Sequence, residues 1–130
     1  MTLTQHITEL ALTIAREIKT RIKADHPGVA KAWVCFGFEN SDVVIRSAFN
    51  VSAVTRMSSG VYRVSFTHAM VDANYCWQAF ARNAGNQSSM KQAAARMLAE
   101  DKAPEFVEVI CSTSAGSLSD TTEMNITVWR

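Results

Sequence analysis

The hydrophobic pattern of this 130-residue chain changes its period at one point, and that change constrains the fold most. Before His26-Pro27-Gly28, apolar residues recur every three or four positions, as on one face of an α-helix. After this tripeptide, short apolar runs alternate with polar residues at the period of β-strands. Because proline and glycine end helices, the tripeptide predicts a boundary between two units. We expect an N-terminal helical unit over residues 1–28 and an antiparallel β domain over residues 29–130.

The amphipathic helix is predicted over residues 2–24, with Thr2 or Thr4 as N-cap and Gln5 completing a weak capping box. A helix of this length is marginal alone in water, so its apolar stripe must pack on something. The alternatives are the rest of the same subunit and the same helix of sister subunits, and we favour self-association. The stripe, at spacings of 4, 3, 4, 4 and 4, consists of Leu3, Ile7, Leu10, Ile14, Ile18 and Ile22.

The rest of the chain contains short β-type runs separated by turn residues, which predict an antiparallel sandwich or barrel. The run at 61–67 alternates most clearly, and the turn sequence at 58–60 makes residues 50–67 a hairpin. Residues 88–101 are ambiguous, because their Ala, Met, Lys and Gln content favours helix where such a domain needs a strand. The predicted strands are 32–38, 43–49, 50–55, 61–67, 75–81, 106–112 and 124–129.

Aromatic residues in these strands are expected to fill the core, and several polar residues to lie at the surface. Gly60 fits a turn that needs an unusual backbone angle, and residues 72–74 fit a turn with local side-chain bonds. Arg46 is expected to face water, with pairing to an acid such as Glu39 or Asp42 as the alternative. The expected core aromatics are Trp33, Phe36, Tyr62, Phe66 and Tyr75, and the expected solvated acids are Asp101, Glu105 and Glu108.

Composition and charge argue against several functional classes. A net charge of +1 with interspersed acids and bases is unlike a nucleic-acid binder. No apolar run is long enough to insert in a membrane, and no signal peptide precedes the helix, so we expect assembly in the cytoplasm. Low charge, 19% of residues, suggests surface buried against other subunits. The cysteines, expected to be free and buried rather than metal ligands, are Cys35, Cys76 and Cys111.

No catalytic, cofactor or metal residues are assigned from the sequence. His68 and Asp72 lie close together, but a hydrolytic triad also needs a positioned serine, and no GxSxG turn is present. The acids are scattered rather than paired as in a glycosidase. Trp33, Trp77 and Trp129 are candidates for stacking on a sugar, but core packing in strands explains them more simply.

A long ordered string of residues carries a family resemblance. It comprises Lys31-Ala32-Trp33-Val34, Phe36, Ile45-Arg46, Phe49-Asn50-Val51-Ser52, Val54-Thr55, Gly60, Tyr62, Val64, Phe66-Thr67, Met70, Asp72-Ala73-Asn74-Tyr75 and the final Val128-Trp129-Arg130. These stretches resemble a β domain found at the ends of many phage and prophage tail-fibre-like proteins. The chain departs from that pattern between residues 88 and 101, where the family has a further strand, and the resemblance favours a strand there.

The resemblance implies a trimeric virion protein with a jelly-roll-like sandwich, assembled in the bacterial host cytoplasm. The first expectation is a fibre or tail appendage, with host-surface glycans as a further candidate partner. The second is a capsid decoration protein, and the third, least favoured, is a polysaccharide hydrolase. Because only Met1 precedes the helix, we expect residues 2–24 to attach the chain to other virion proteins.

Overall fold

The chain folds as a helix followed by two antiparallel β-sheets, in a computed structural model that describes residues 1–83, 90–95 and 101–130. The mainly β architecture with an N-terminal helix, and its sandwich-like pair of sheets, are therefore confirmed. The elements of the described residues are α1 (Leu3–Arg21), β1 (Ala32–Glu39), β2 (Asp42–Phe49), β3 (Val51–Ser58), β4 (Val61–Phe66), β5 (Cys76–Arg82), β6 (Lys91–Ala95), β7 (Lys102–Ala103), β8 (Phe106–Thr113) and β9 (Glu123–Trp129).

Helix α1 begins at its predicted cap and ends before the proline. The Thr2 hydroxyl accepts from the Gln5 backbone N–H at 3.3 Å, and the Gln5 side chain accepts from the Thr2 N–H at 2.7 Å. This reciprocal pair is the predicted capping box. The predicted end at residue 24 was too late, because Ile22 already has a non-helical backbone (φ −109°, ψ 75°). A separate turn follows, in which the His26 N–H donates to the Lys23 carbonyl at 2.9 Å.

The two sheets have different strand orders. The first sheet runs β2-β1-β9-β5, and the second runs β3-β4-β8-β6, with β7 also paired to β8. The predicted hairpin over residues 50–67 is confirmed as the β3–β4 pair. Within the ambiguous stretch, β6 confirms a strand at 91–95, while residues 88–89 and 96–100 lie outside the described residues. The two-residue β7 was not predicted, because it is too short to show a period.

Apolar side chains from both sheets fill the space between them. Phe36 and Tyr62 meet edge to face with ring centroids 5.2 Å apart, and Phe66 and Tyr75 do so at 5.7 Å. These four expected core aromatics are buried, but the expectation for Trp33 was wrong. Trp33 is 38% exposed because β1 buries the alternate residues, among them Ala32, Val34 and Phe36, and points Trp33 to the outer face.

The chain passes from the first sheet to the second at Asn50, which has a left-handed backbone with φ 52°. Its side-chain amide donates to the carbonyls of Lys31 at 3.0 Å and His68 at 3.1 Å. Its side-chain oxygen accepts from the His68 N–H at 2.7 Å. Asparagine tolerates this backbone region better than other residues with a Cβ. Asn50 therefore joins three separate segments at one corner of the sandwich.

Two glycines occupy places that no side chain can share. Gly60 has φ 67°, as its predicted turn requires, and a Cβ there would lie 2.5 Å from the Cys111 carbonyl oxygen. A Cβ on Gly37 would lie 2.0 Å from the carbonyl oxygen of Thr122. Gly37 thus lets the segment before β9 approach β1 closely.

Several expectations about polar residues and cysteines were wrong. Arg46 is exposed, as expected, but it also pairs with Glu39, which was the alternative expectation. Asp101 and Glu108 are buried, at 7% and 3% exposure, whereas Glu105 is exposed as expected. Glu108 tolerates burial because Arg63 donates two hydrogen bonds to one of its carboxylate oxygens.

All three cysteines are free, but only Cys111 is buried; Cys35 is half-buried and Cys76 exposed.

Candidate functional site

The apolar stripe of α1 is the most prominent uncovered feature of the described chain. Every residue of the helix is exposed, and the six stripe side chains retain between 51% and 76% of their accessible area. Two alternatives were expected to cover the stripe. The described residues do not show the first of them, docking of the helix on its own subunit. The stripe consists of the predicted residues Leu3, Ile7, Leu10, Ile14, Ile18 and Ile22, at spacings that place them on one face.

The remaining surface of α1 is mainly polar, and several of its side chains bond within the helix. Glu17 and Arg21 form an exposed ion pair at 3.0 Å, which contributes little to stability. Thr8 and Thr13 donate their hydroxyls to helix carbonyls one turn earlier, both at 2.9 Å. Leu12, 52% exposed, lies on the side opposite the stripe. One face of the helix is thus suited to an apolar partner and the other to water.

An apolar groove of about 600 Å³ lies where the helix joins the sandwich. Three segments that are distant in sequence build it: the linker after α1, the end of β2 and the loop after β4. Sequence reasoning missed this groove, because no local pattern shows that these segments meet. Its main apolar lining residues are Ala24, Val29, Phe49, Met70 and Val71.

The linker is held against the sandwich by hydrogen bonds at the groove. The Lys31 ammonium donates to the carbonyls of Ala24 and, at 2.9 Å, of His26. The Lys31 N–H donates to the Val128 carbonyl at 2.8 Å, which continues the β1–β9 pairing. These bonds fix one wall of the groove within the single chain.

The other charged groups at the groove are also paired within the chain. Arg130 binds both carboxylate oxygens of Asp72, at 3.0 and 2.6 Å, in a two-pronged arrangement. The Asp72 carboxylate also accepts from the Asn74 N–H at 2.7 Å, which confirms the predicted turn at 72–74. The Arg130 guanidinium holds the pKa of Asp72 below its usual range. The groove therefore offers an apolar floor whose charged neighbours already have partners.

A polar cluster around Asp120 lies at the opposite end of the sandwich. The Asp120 carboxylate accepts from the Arg56 guanidinium at 3.0 and 2.8 Å, from the Gly60 N–H at 3.0 Å and from the Tyr62 hydroxyl at 2.6 Å. These donors, Arg56 foremost, hold the pKa of Asp120 well below its usual range, while burial raises the pKa of Tyr62. A carboxylate engaged in this way fastens the loop before β9 to the second sheet and is poorly suited to proton transfer.

His68 and Asp72, the two residues considered for an enzymatic role, each bond to a different partner. His68 bonds to Asn50, through its N–H at 2.7 Å and its ring nitrogen at 3.3 Å, and Asp72 bonds to Arg130. Among the described residues, no group of three or more His, Cys, Asp or Glu side chains is arranged to hold a metal ion. No helix in the described part of the chain has the length and apolar character to cross a membrane.

An aromatic pair lies on the outer face of the first sheet. Trp33 and Phe49, opposite each other on β1 and β2, stack with centroids 6.5 Å apart and planes at 24°. Phe49 is 53% exposed, whereas Trp77 and Trp129 are half-buried. This pair is the exposed aromatic surface nearest the groove, because Phe49 belongs to both.

Comparison of the chain with protein-family models, with curated proteins and with solved structures found no match in any of the three.

Proposed function

We propose that this chain is a structural protein of a bacteriophage particle, a surface-exposed trimeric fibre or tail appendage assembled through α1. The observation that carries the assembly part is the exposed apolar stripe of the helix. The phage part rests on the resemblance of residues 31–75 and the last strand to tail-fibre-like β domains. The jelly-roll winding expected from that resemblance is part of the same proposal.

Burial of the stripe would contribute favourable free energy to the proposed assembly. Complete burial of a Leu or Ile side chain contributes roughly 1.5–3 kcal/mol. Since each stripe residue is still about half exposed or more, covering it contributes about 1 kcal/mol or more. Six such residues therefore contribute several kcal/mol per chain, which exceeds what a lone helix of 19 residues gains in water.

The shape of the stripe is compatible with three parallel helices. The steps from Ile7 to Ile18 are 3, 4 and 4, an eleven-residue unit that supercoils less left-handedly than strict heptads. Ile and Leu at these positions do not by themselves select the number of strands. The choice of a trimer follows from the resemblance to trimeric fibres.

A capsid decoration protein, attached through the same helix, is the second candidate. It is favoured by the complete exposure of α1, since a helix that buries nothing on its own sandwich is free to seat in a capsid partner. A host-surface glycan is a candidate ligand for either role, and the exposed Trp33–Phe49 pair is where a sugar ring would stack. A polysaccharide hydrolase remains the least favoured alternative, since neither Asp nor Glu is among the residues that line the groove.

Light scattering after size exclusion tests the assembly through the helix. The wild-type chain is expected to elute as a trimer at micromolar concentration. Ile7→Asp combined with Ile14→Asp places charges in the proposed seam, where unpaired burial costs several kcal/mol, and is expected to give a monomer with intact β signal in circular dichroism. The matched control is Leu12→Asp, the same kind of change on the opposite face, which should stay trimeric. A double variant that trimerises normally removes the helix from this role.

The phage assignment is tested on particles released from the source bacterium. Antibody fragments against the β domain, viewed by electron microscopy, are expected to decorate the tail or fibres of the particles. Label on the head shell instead supports the decoration protein. Particles that lack the chain, both by imaging and by mass spectrometry, contradict both virion candidates.

A further inference from the structure

We propose that the groove at the base of the helix receives the last turn of a sister subunit's helix, with Ile18 and Ile22 entering it. This inference rests on the proposed trimer, and it names a second contact in that assembly. The groove itself is the apolar cavity of about 600 Å³ lined by Ala24, Val29, Phe49, Met70 and Val71.

Symmetry places the proposed occupant at the right height. In a ring of identical subunits, rotation about the axis leaves every atom at its own height along that axis. Ile22 is the last residue of the stripe, and Ala24, two positions later, lines the groove. A sister chain's Ile22 therefore lies level with the groove when the helices bundle in parallel. The contact joins two different surface patches, so each subunit docks on the next one. A three-fold rotation closes this series of contacts into a ring, because the third subunit then docks on the first.

Exposed apolar side chains lie both at the end of the stripe and at the groove. Ile22 is 63% exposed at the end of the stripe, Phe49 is 53% exposed at the groove, and Val71 is 88% exposed at its rim. Since so little of the Val71 side chain is covered, it contributes almost no hydrophobic stabilisation to its own chain. Exposed apolar side chains that cluster at one groove mark an interaction site.

The chemistry of the groove favours an apolar occupant over a charged ligand. Lys31 donates to two linker carbonyls, and Arg130 donates to both carboxylate oxygens of Asp72. The Asn50 amide is bonded to carbonyls on both sides. A charged ligand would have to break one of these pairs, whereas aliphatic side chains fill the groove without disturbing them.

The groove is also built in advance of assembly. Lys31 ties the linker to the sandwich through its side chain and, by its N–H, to the Val128 carbonyl at 2.8 Å. A preformed receptor loses little conformational freedom when its partner arrives. The helix end of the sister chain is therefore the part that becomes ordered on docking.

Site-specific photo-crosslinking tests the contact in the full-length chain. Val71 is replaced by p-benzoylphenylalanine, and the irradiated protein is analysed on a denaturing gel and by peptide mass spectrometry. We expect crosslinked dimers and trimers whose crosslinks map to residues 14–22 of the neighbouring chain. The control is the same replacement at Leu118, 48% exposed in the loop between β8 and β9, which should give no crosslink between subunits.

A charge substitution gives a second readout that does not depend on a crosslinker. Val71→Asp is expected to raise the concentration at which the trimer dissociates by at least about tenfold. Leu118→Asp should leave that concentration unchanged, and both variants should keep the unfolding temperature of the sandwich, since both side chains are exposed.

The outcomes separate this inference from the function on which it rests. A trimer that shows no crosslink from position 71, or crosslinks that map outside the neighbouring helix, overturns the groove contact and leaves the helix trimer standing. A Val71→Asp variant that trimerises as tightly as wild type does the same. A wild-type chain that is monomeric overturns the proposed assembly, and the groove contact with it.

Discussion

Removing the Asp120 carboxylate should destabilise the sandwich more than any single loss of a surface charge. Asp120→Ala leaves the hydroxyl of Tyr62, which has 0% exposure, without its acceptor at 2.6 Å. It also leaves the buried Gly60 N–H without its acceptor at 3.0 Å. Arg56, whose side chain is 33% exposed, can turn to water instead.

The magnitude follows from the burial of each orphaned donor. A buried donor that loses its partner costs about 1–3 kcal/mol, so Tyr62 and Gly60 together cost roughly 2–6 kcal/mol. The partly exposed Arg56 pair adds little to this loss. For a β domain of about 100 residues, each kcal/mol lowers the unfolding temperature by roughly 4–8 °C, so a fall of at least about 8 °C is expected.

Thermal and urea unfolding followed by far-ultraviolet circular dichroism measure this loss. Tyr62→Phe is the matched control, since it deletes one hydrogen bond, keeps the ring in the core and should cost only about 1 kcal/mol. In the double variant the two losses should not add, because they share the Tyr62–Asp120 bond. A loss below about 1 kcal/mol for Asp120→Ala, or full additivity with Tyr62→Phe, refutes the reasoning.

The same cluster gives the sandwich a pH dependence of known sign. Arg56, with Tyr62 and Gly60, holds the pKa of Asp120 below its usual range, so the folded chain releases this proton more readily than the unfolded chain. The stabilisation is therefore complete above the unfolded pKa, near 4, and is lost as the pH falls through the lower folded value. The stability gap between wild type and Asp120→Asn should be full at pH 7 and shrink steadily below about pH 4.

Other features of the sandwich give further tests. With a thiol reagent, exposed Cys76 should label at once, whereas Cys111, whose burial raises its pKa, should label only in denaturant; equal rates contradict the described burial. Gly37→Ala should cost about 3 kcal/mol or more in urea unfolding, because the added Cβ meets a backbone carbonyl, and a neutral effect contradicts that close approach. Asn50→Ala should destabilise more than Asn50→Gly by about 1 kcal/mol, since glycine keeps the left-handed backbone and loses only the hydrogen bonds.

Local pattern was enough to predict most of the strands and the helix cap. Thr2 and Gln5 bond as their spacing indicates, and the run at 61–67 forms β4 with its alternate residues buried. These features depend on neighbours within a few positions. The end of α1 was misplaced because Ile22 leaves the helix before the proline that was expected to stop it.

Features that depend on tertiary contacts were not predictable in the same way. Nearly every residue of β1, where Trp33 lies, is apolar. The strand therefore shows no alternation that would tell which of its two faces packs in the core. Glu108 was expected in water, yet Arg63 on the neighbouring strand lets it be buried. The groove was not predicted for the same reason, since Phe49 and Val71, which both line it, are brought to one place only by the fold.

In the proposed trimer, the complete exposure of α1 would make assembly and helix formation a single event. A helix of 19 residues with no packed face is only marginally stable in a dilute solution of single chains, while the sandwich has its own core. Dilution should therefore melt the helix and leave the sheets intact, so helical content becomes a function of protein concentration. Newly made chains would stay apart until enough accumulate, and the concentration of finished subunits would then set when assembly begins.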